Sequence, residues 1–321
     1  MAVPSNLYQA ASLKGNREDL IDKIFNTSPT ETPLSSSFGR TTATGVTHEW
    51  QTDALAAANA DNAMIDGDDV TLDAQTPTLR LANHLQIFSK KPGVSRRANI
   101  IKKAGRGGEM AYVKAKAMLE LKRDIEKMVV SSNPAVAATT SVAGKSAGLG
   151  VQSATNALHN GAGATAAWTA GAPTTAVTAG TNRTFTEALV KTMCQSIYTN
   201  SGQFVEQMVM SPSHKATFSG FSGIAQNRLD VKGKEQGKIV GAADVYISDF
   251  GAISVIPHYL MAGANEVFFL NSDYVDLAFL DGFVTSPLAK TGDSERALIT
   301  ADVCLAVRAP TAIGKIDDLT P

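Results

Sequence analysis

From Glu109 to Val130 the apolar residues Met110, Val113, Ala117, Leu121, Ile125 and Met128 recur at spacings of three and four. That spacing puts them on one face of an α-helix. Lys114, Lys116, Glu120, Lys122, Arg123, Asp124, Glu126 and Lys127 make the remaining surface mixed in charge. Gly105-Arg-Gly-Gly108 breaks the chain before the helix, and Asn133-Pro134 ends it. Glu109 in the first turn and Lys127 near the last suit the helix dipole. A helix of this length extends about 30 Å. With a single apolar stripe it must lie along another layer, so it is a structural element.

The charges on either side of this helix are sorted. From Thr41 to Asp73 there are seven acids (Glu49, Asp53, Asp61, Asp66, Asp68, Asp69, Asp73) and no Lys or Arg. From Ala74 to Gly108 there are eight bases (Arg80, Lys90, Lys91, Arg96, Arg97, Lys102, Lys103, Arg106) and no acid. Either the two blocks are solvated neighbours, or they belong to an arm that meets a complementary surface. Residues 131–182 hold one charged residue, Lys145, in 52 positions, and 36 of those positions are Ala, Gly, Ser or Thr. With few large apolar groups to bury, this segment is expected to be loop or extended structure.

A compact α/β pattern follows. Thr184-Phe-Thr-Glu187 reads as a capping box. Behind it Leu189, Met193 and Ile197, with Val190, Cys194 and Tyr198, fill two helical rows that stop at Gly202. Ser211-Pro212 opens a second helix through Phe218. Strands are expected at Phe204–Met210, Ile239–Ile247, Ala252–Tyr259, Glu266–Leu270, Tyr274–Phe283 and Ala297–Arg308. The last two are split by the turn-rich Thr291–Glu295.

Composition excludes several classes. The chain has 321 residues, 29 Lys and Arg against 30 Asp and Glu, and a net charge of -1. That balance argues against a basic nucleic-acid binder held by counterion release. No run of apolar residues is long enough to span a membrane, and Met1–Ala10 lacks the form of a secretory signal. Cys194 and Cys304 sit in apolar patterns and read as reduced core residues of a cytosolic protein.

The apparent chemical motifs fail on context. Gly144-Lys145-Ser146 ends like a P-loop, but position 139 is Thr, not Gly. A cytosolic nucleotide-utilising enzyme built on it is the alternative reading of function. Gly161-Ala-Gly163 imitates a dinucleotide fingerprint inside a Gly/Ala-rich stretch. Asp249-Phe250-Gly251 lacks every other kinase motif and reads as a turn. Asp66, Asp68 and Asp69 lack the glutamate that would close a calcium loop. His48, His84, His159, His214 and His258 are scattered without metal-ligand spacing. No catalytic, cofactor-binding or metal site is expected, and the chain reads as a binding or structural protein.

Several strings are specific. Asn16–Leu20, Ser28–Pro33, Thr47–Asp53, Gly105–Tyr112, Glu120–Glu126, Gly241–Gly251 and Leu288–Asp293 resemble, in order, a family of tailed-phage major capsid proteins. The resemblance implies an α+β chain with the Hong Kong 97-type capsid fold. It implies an N-terminal arm (1–45), an extended loop over a neighbouring subunit (46–103), and the spine helix with the peripheral domain (104–140). A small-residue connection (141–182), an axial domain (183–273) and a return to the peripheral domain (274–321) would follow.

The implied function is a major capsid subunit of a double-stranded DNA phage, forming the hexamers and pentamers of an icosahedral shell. Its implied partners are copies of itself, a separate scaffolding protein, a portal at one vertex, an optional decoration protein and non-specifically contacted DNA, with no membrane. The scaffold is expected to be separate because arm-like sequence begins within twenty residues of Met1. The chain would be made in the bacterial cytoplasm and reside in the virion capsid. If the sorted charges register one subunit on the next, the contact residues are Glu49, Asp53, Asp66, Asp68, Asp69, Lys90, Lys91, Arg96, Arg97, Lys102 and Lys103.

Overall fold

The computed structural model describes residues 24–67, 69, 72–166, 168, 171–221 and 244–321, with the backbone of 229–230 and 238–239. The expectations that fall on 1–23, on Asp68 and on 240–243 lie outside these residues. In chain order the elements are α1 (Pro33–Ser37), β1 (Gly39–Thr42), β2 (Thr47–Thr52), β3 (Leu79–His84), β4 (Gln86–Lys90), β5 (Gly93–Ser95) and α2 (Arg96–Ile100). Then come α3 (Glu109–Val129), α4 (Leu149–Gln152), β6 (Ala157–Leu158), α5 (Glu187–Ser201), β7 (Gln207–Met210) and α6 (Pro212–Ser219). The remainder is β8 (Leu229–Asp230), β9 (Lys238–Ile239), β10 (Val245–Ser248), β11 (Gly251–Pro257), β12 (Val267–Leu270), β13 (Val275–Pro287), β14 (Ser294–Val307) and β15 (Gly314–Ile316).

Helix α3 buries Met110, Ala117, Leu121, Ile125 and Met128, the stripe its spacing predicts. It packs on a five-stranded sheet of order β1-β13-β14-β4, with β5 also on β14. The β13–β14 hairpin runs beyond its expected ends, and its outer part, Asp281–Pro287, is exposed. Its register shifts between Phe279 and Asp281 and again before Val284.

A second sheet has the order β10-β11-β7-β12-β15-β6. Alternation along its strands divides two cores, as the pleat requires. Val209, Phe268 and Leu270 join Leu121, Ile125 and the main-sheet residues Leu277, Val303 and Leu305. Met208, Met210, Val267 and Phe269 join Val190, Met193 and Ile197 of α5 and Phe218 of α6. Strand β12 is therefore buried along its whole length.

Three local expectations change. Thr184 is not a cap. Helix α5 starts after Thr186, whose side chain makes no capping bond. The reason is the C-terminal tail: the Arg183 amide donates to the Asp318 carbonyl at 2.7 Å, and the Thr320 amide to the Arg183 carbonyl at 2.9 Å. That pairing keeps the chain extended into the helix. The C-terminal end is as predicted, with Gly202 at φ 67° donating to the Tyr198 carbonyl.

Glu126 is not on the solvent side of α3. It is fully buried beneath α1. Residues 131–182 are mostly irregular, as their composition suggests, yet 146–153 lie inside the molecule. A Cβ on Gly148 would collide with the Ser131 carbonyl, and one on Gly150 with the Ser132 side chain. Small residues there permit close backbone approach.

Candidate intersubunit surface

Strands β2 and β3 pair antiparallel from Thr47↔His84 to Thr52↔Leu79 and form the stem of a long excursion. Asn83, with no exposure, fixes its base. Its amide nitrogen donates to the Leu305 carbonyl at 2.6 Å and to the Ser146 hydroxyl at 3.1 Å, and its oxygen accepts from the Ala147 amide at 3.0 Å. Ser146 is thus a core hydroxyl, and the Leu305 amide also donates to it at 3.1 Å. Lys145 pairs its backbone with Val136, so Gly144–Ser146 lines no phosphate loop. Trp168 packs on Trp50 of the stem at 5.9 Å between ring centroids and donates to the Gln152 carbonyl at 2.9 Å.

Beyond the stem every described residue from 53 to 78 is exposed. Leu55 and Leu72 are 98% and 96% exposed, and Met64 and Ile65 also face solvent. Asp53, Asp61, Asp66, Asp69 and Asp73 lie along this tip. Asp68 is outside the described residues. Glu49 sits on the stem and pairs with Arg80, across the hairpin.

The basic block does not stay with the excursion. Strands β4 and β5 leave the stem and pair with β14, so 46–103 divides into a hairpin and a return into the main sheet. That return brings bases against acids of the same subunit. Lys90 pairs with Asp124 of α3 at 2.6 Å, and Arg96 with Asp293 at 2.7 Å. Lys103 and Arg106 share Glu109 at 3.0 and 2.8 Å. Their hydrogen bonds and charge, Lys103 foremost, hold the Glu109 carboxyl below its usual range against the effect of desolvation. Lys91, Arg97 and Lys102 are exposed and form no ion pair among the described residues.

Spacing did not reveal the exposed apolar pair Ile100 and Ile101, 68% and 56% exposed at the end of α2. Their only signal was two isoleucines inside a basic stretch. Nor did it reveal Asn83, whose signal was an amide inside a strand, where such residues are depleted.

No group of three or more potential metal ligands occurs among the described residues, and no helix there is long and apolar enough to cross a membrane. Burial pushes the Cys194 thiol up to about 11 and the Cys304 thiol up to about 12, as suits core residues rather than nucleophiles.

The major capsid protein of Escherichia phage Phieco32 is 26% identical over 344 aligned residues, covering 98% of this chain and 97% of that protein. Among solved structures, the capsid of cyanophage A-1(L) superposes with a TM-score of 0.66 at 14% identity, over 98% of this chain and 99% of that one. The capsid of a native GTA particle gives 0.59 at 12% identity, over 97% of both. The fold is therefore the Hong Kong 97-type capsid fold that the sequence strings imply. The model of the SU10 major capsid protein family matches residues 6–320, and the chain belongs to that family.

Proposed function

We propose that this tailed-phage major capsid protein joins copies of itself into hexamers and pentamers, and that these close an icosahedral shell around packaged double-stranded DNA. In this reading the excursion from β2 to β3 lies over a neighbouring subunit. The observation that carries it is the tip. Leu55 and Leu72 are almost wholly exposed and find no burial among the described residues, and exposed apolar groups of that size mark contact surfaces. Heterologous contacts of this kind close into rings when the angle they enforce permits.

The rest of the chain divides by role. The arm runs to about residue 45 and hands strand β1 to the five-stranded sheet. Helix α3 and the five-stranded sheet form the peripheral domain, to which β13 and β14 of 274–321 return, while β15 joins the second sheet. Residues 183–273 form the axial domain around the capsomer centre, reached through the connection 141–182. A net charge of -1 suits a container that encloses DNA without gripping it. A separate scaffolding protein, a portal at one vertex and an optional decoration protein complete the partners, with synthesis in the host cytoplasm and residence in the virion.

Replacing residues 54–77 by a short Asn-Gly turn tests the role of the excursion. The circular dichroism should match wild type, because the described residues among those deleted are all exposed, and electron microscopy of the protein assembled with scaffold should show no closed shells. Normal shells from the shortened chain would overturn the role given to the excursion.

A further inference from the structure

We propose that the tip of one subunit seats in a cleft of the next, formed by the end of α2 and the turn into α3. The seat deepens the excursion's role as an intersubunit contact and rests on it. The cleft has a volume of about 300 Å³ and is lined by Asn99–Lys103 and Arg106–Glu109. Its apolar part is Ile100 and Ile101, both more than half exposed.

Its charge is one-sided. Within residues 97–109, Arg97, Lys102, Lys103 and Arg106 face a single carboxylate, Glu109. That carboxylate is shared by Lys103 and Arg106, which leaves Arg97 and Lys102 without a counter-ion among the described residues. The neighbouring Asp293 is taken by Arg96.

The tip has the complementary composition. Residues 53–73 contain Leu55, Met64, Ile65 and Leu72 among six acids, with no Lys or Arg. An acidic segment with exposed aliphatic side chains fits a basic cleft with an isoleucine floor. The aliphatic groups gain by leaving water, and the charges set register and encounter rate. The described residues of the tip and Arg97, Ile100, Ile101 and Lys102 are all exposed, so neither surface is covered by the described residues of its own chain. A second copy therefore supplies the partner. The contact is head-to-tail, so each copy offers a tip and a cleft and the arrangement repeats around a ring.

Charge exchange tests the seat. Arg97→Glu, beside the cleft, with Lys102→Glu in it places two acids there, and Asp61→Lys with Asp66→Lys places two bases on the tip. Each double variant should keep the wild-type circular dichroism and melting profile and lower the yield of closed shells about tenfold, since a small loss per contact multiplies over a shell. The chain carrying all four changes should recover shells, because the two lysines introduced on the tip then have the two glutamates introduced at the cleft as partners. If the fourfold variant assembles no better than the doubles, or the doubles assemble normally, the seat is wrong.

A second measurement does not depend on reversed charges folding well. In the Ile65→Cys, Ile101→Cys chain, mild oxidation of assembled shells should give subunit ladders on a denaturing gel. Their absence from well-formed shells would also overturn the seat. Loss of shells on deleting the tip, with normal assembly of both reversed variants, would leave the excursion's role standing and remove only its partner cleft.

Discussion

A carboxylate without solvent is stable only when its oxygens find donors, and Glu126 finds three. The amides of Leu34 and Ser35 donate to it at 2.9 and 2.8 Å, and His258 Nε2 lies 2.9 Å away. One side chain on α3 thus ties down the start of α1 and the turn after β11. Burial pushes the Glu126 carboxyl up, but the bonds from His258, Ser35 and Leu34 together outweigh it and leave it below its usual value. A depressed carboxyl stabilises the fold above its unfolded pKa, about 4.3, and that contribution is lost as pH falls through the lower folded value. Glu126→Gln should therefore destabilise the unassembled subunit at pH 7 by about 1–3 kcal/mol. The gap to wild type should narrow as pH drops below about 4. Urea titrations at pH 7 and pH 3 give the comparison, and an equal gap at both would mean that ionised Glu126 does not stabilise the fold. The sequence could not separate Glu126 from the charged face of α3. It lies next to Ile125, and only the arrival of α1, 92 residues earlier in the chain, turns that position inward.

At the scale of elements, what was legible followed periodicity. The stripe from Met110 to Met128 gave α3, and Ser211-Pro212 gave α6, where the Ser211 side chain accepts from the His214 amide. The hairpin of β13 and β14 came from alternation around a turn. Elements whose backbone is held by distant residues were not legible. The extended run before α5 depends on the C-terminal tail, and the course of 146–153 depends on Asn83 and on Ser131. Composition marked that segment as small and uncharged, which is also what close packing of backbone on backbone requires. The two causes part under mutation. Lys145→Ala should leave stability unchanged, because the side chain is exposed and forms no ion pair among the described residues. Gly148→Ala should lower the melting temperature by several degrees, because the new methyl meets the carbonyls of Ser131 and Met128. Thermal melts of the two proteins decide it. A wild-type melt for Gly148→Ala would show that the segment yields, as a loose loop would.

At the scale of the whole molecule, the sorted charges of the sequence divide between pairs inside the subunit and, in the proposed seat, contacts between copies. Composition showed the two blocks, but only the return of β4 and β5 to the main sheet shows which bases are spent inside the subunit. Lys90, Arg96 and Lys103 belong with Asp124, Asp293 and Glu109. The Lys90 and Arg96 pairs are substantially exposed and are each worth about 0–1 kcal/mol, so they decide little about folding. In the proposed seat, Asp53, Asp61, Asp66 and Asp73 of the tip, with Arg97 and Lys102, serve contacts between copies. Salt should then separate folding from assembly. Exposed charges are screened over about 10 Å at 0.1 M ionic strength and about 3 Å at 1 M. The folded subunit owes most of its stability to the two apolar cores, so its urea midpoint should barely move between these conditions. Assembly should slow steeply, because complementary charge acts mainly on the encounter of two surfaces, and a shell multiplies each small loss. Light scattering during assembly with scaffold, beside urea melts at each salt concentration, measures both. For the Arg97→Glu, Lys102→Glu chain the slope should flatten or reverse, since screening then relieves a repulsion. Equal salt dependence in wild type and that variant would show that the charges of α2 do not take part in assembly, and that the apolar residues of the tip act alone.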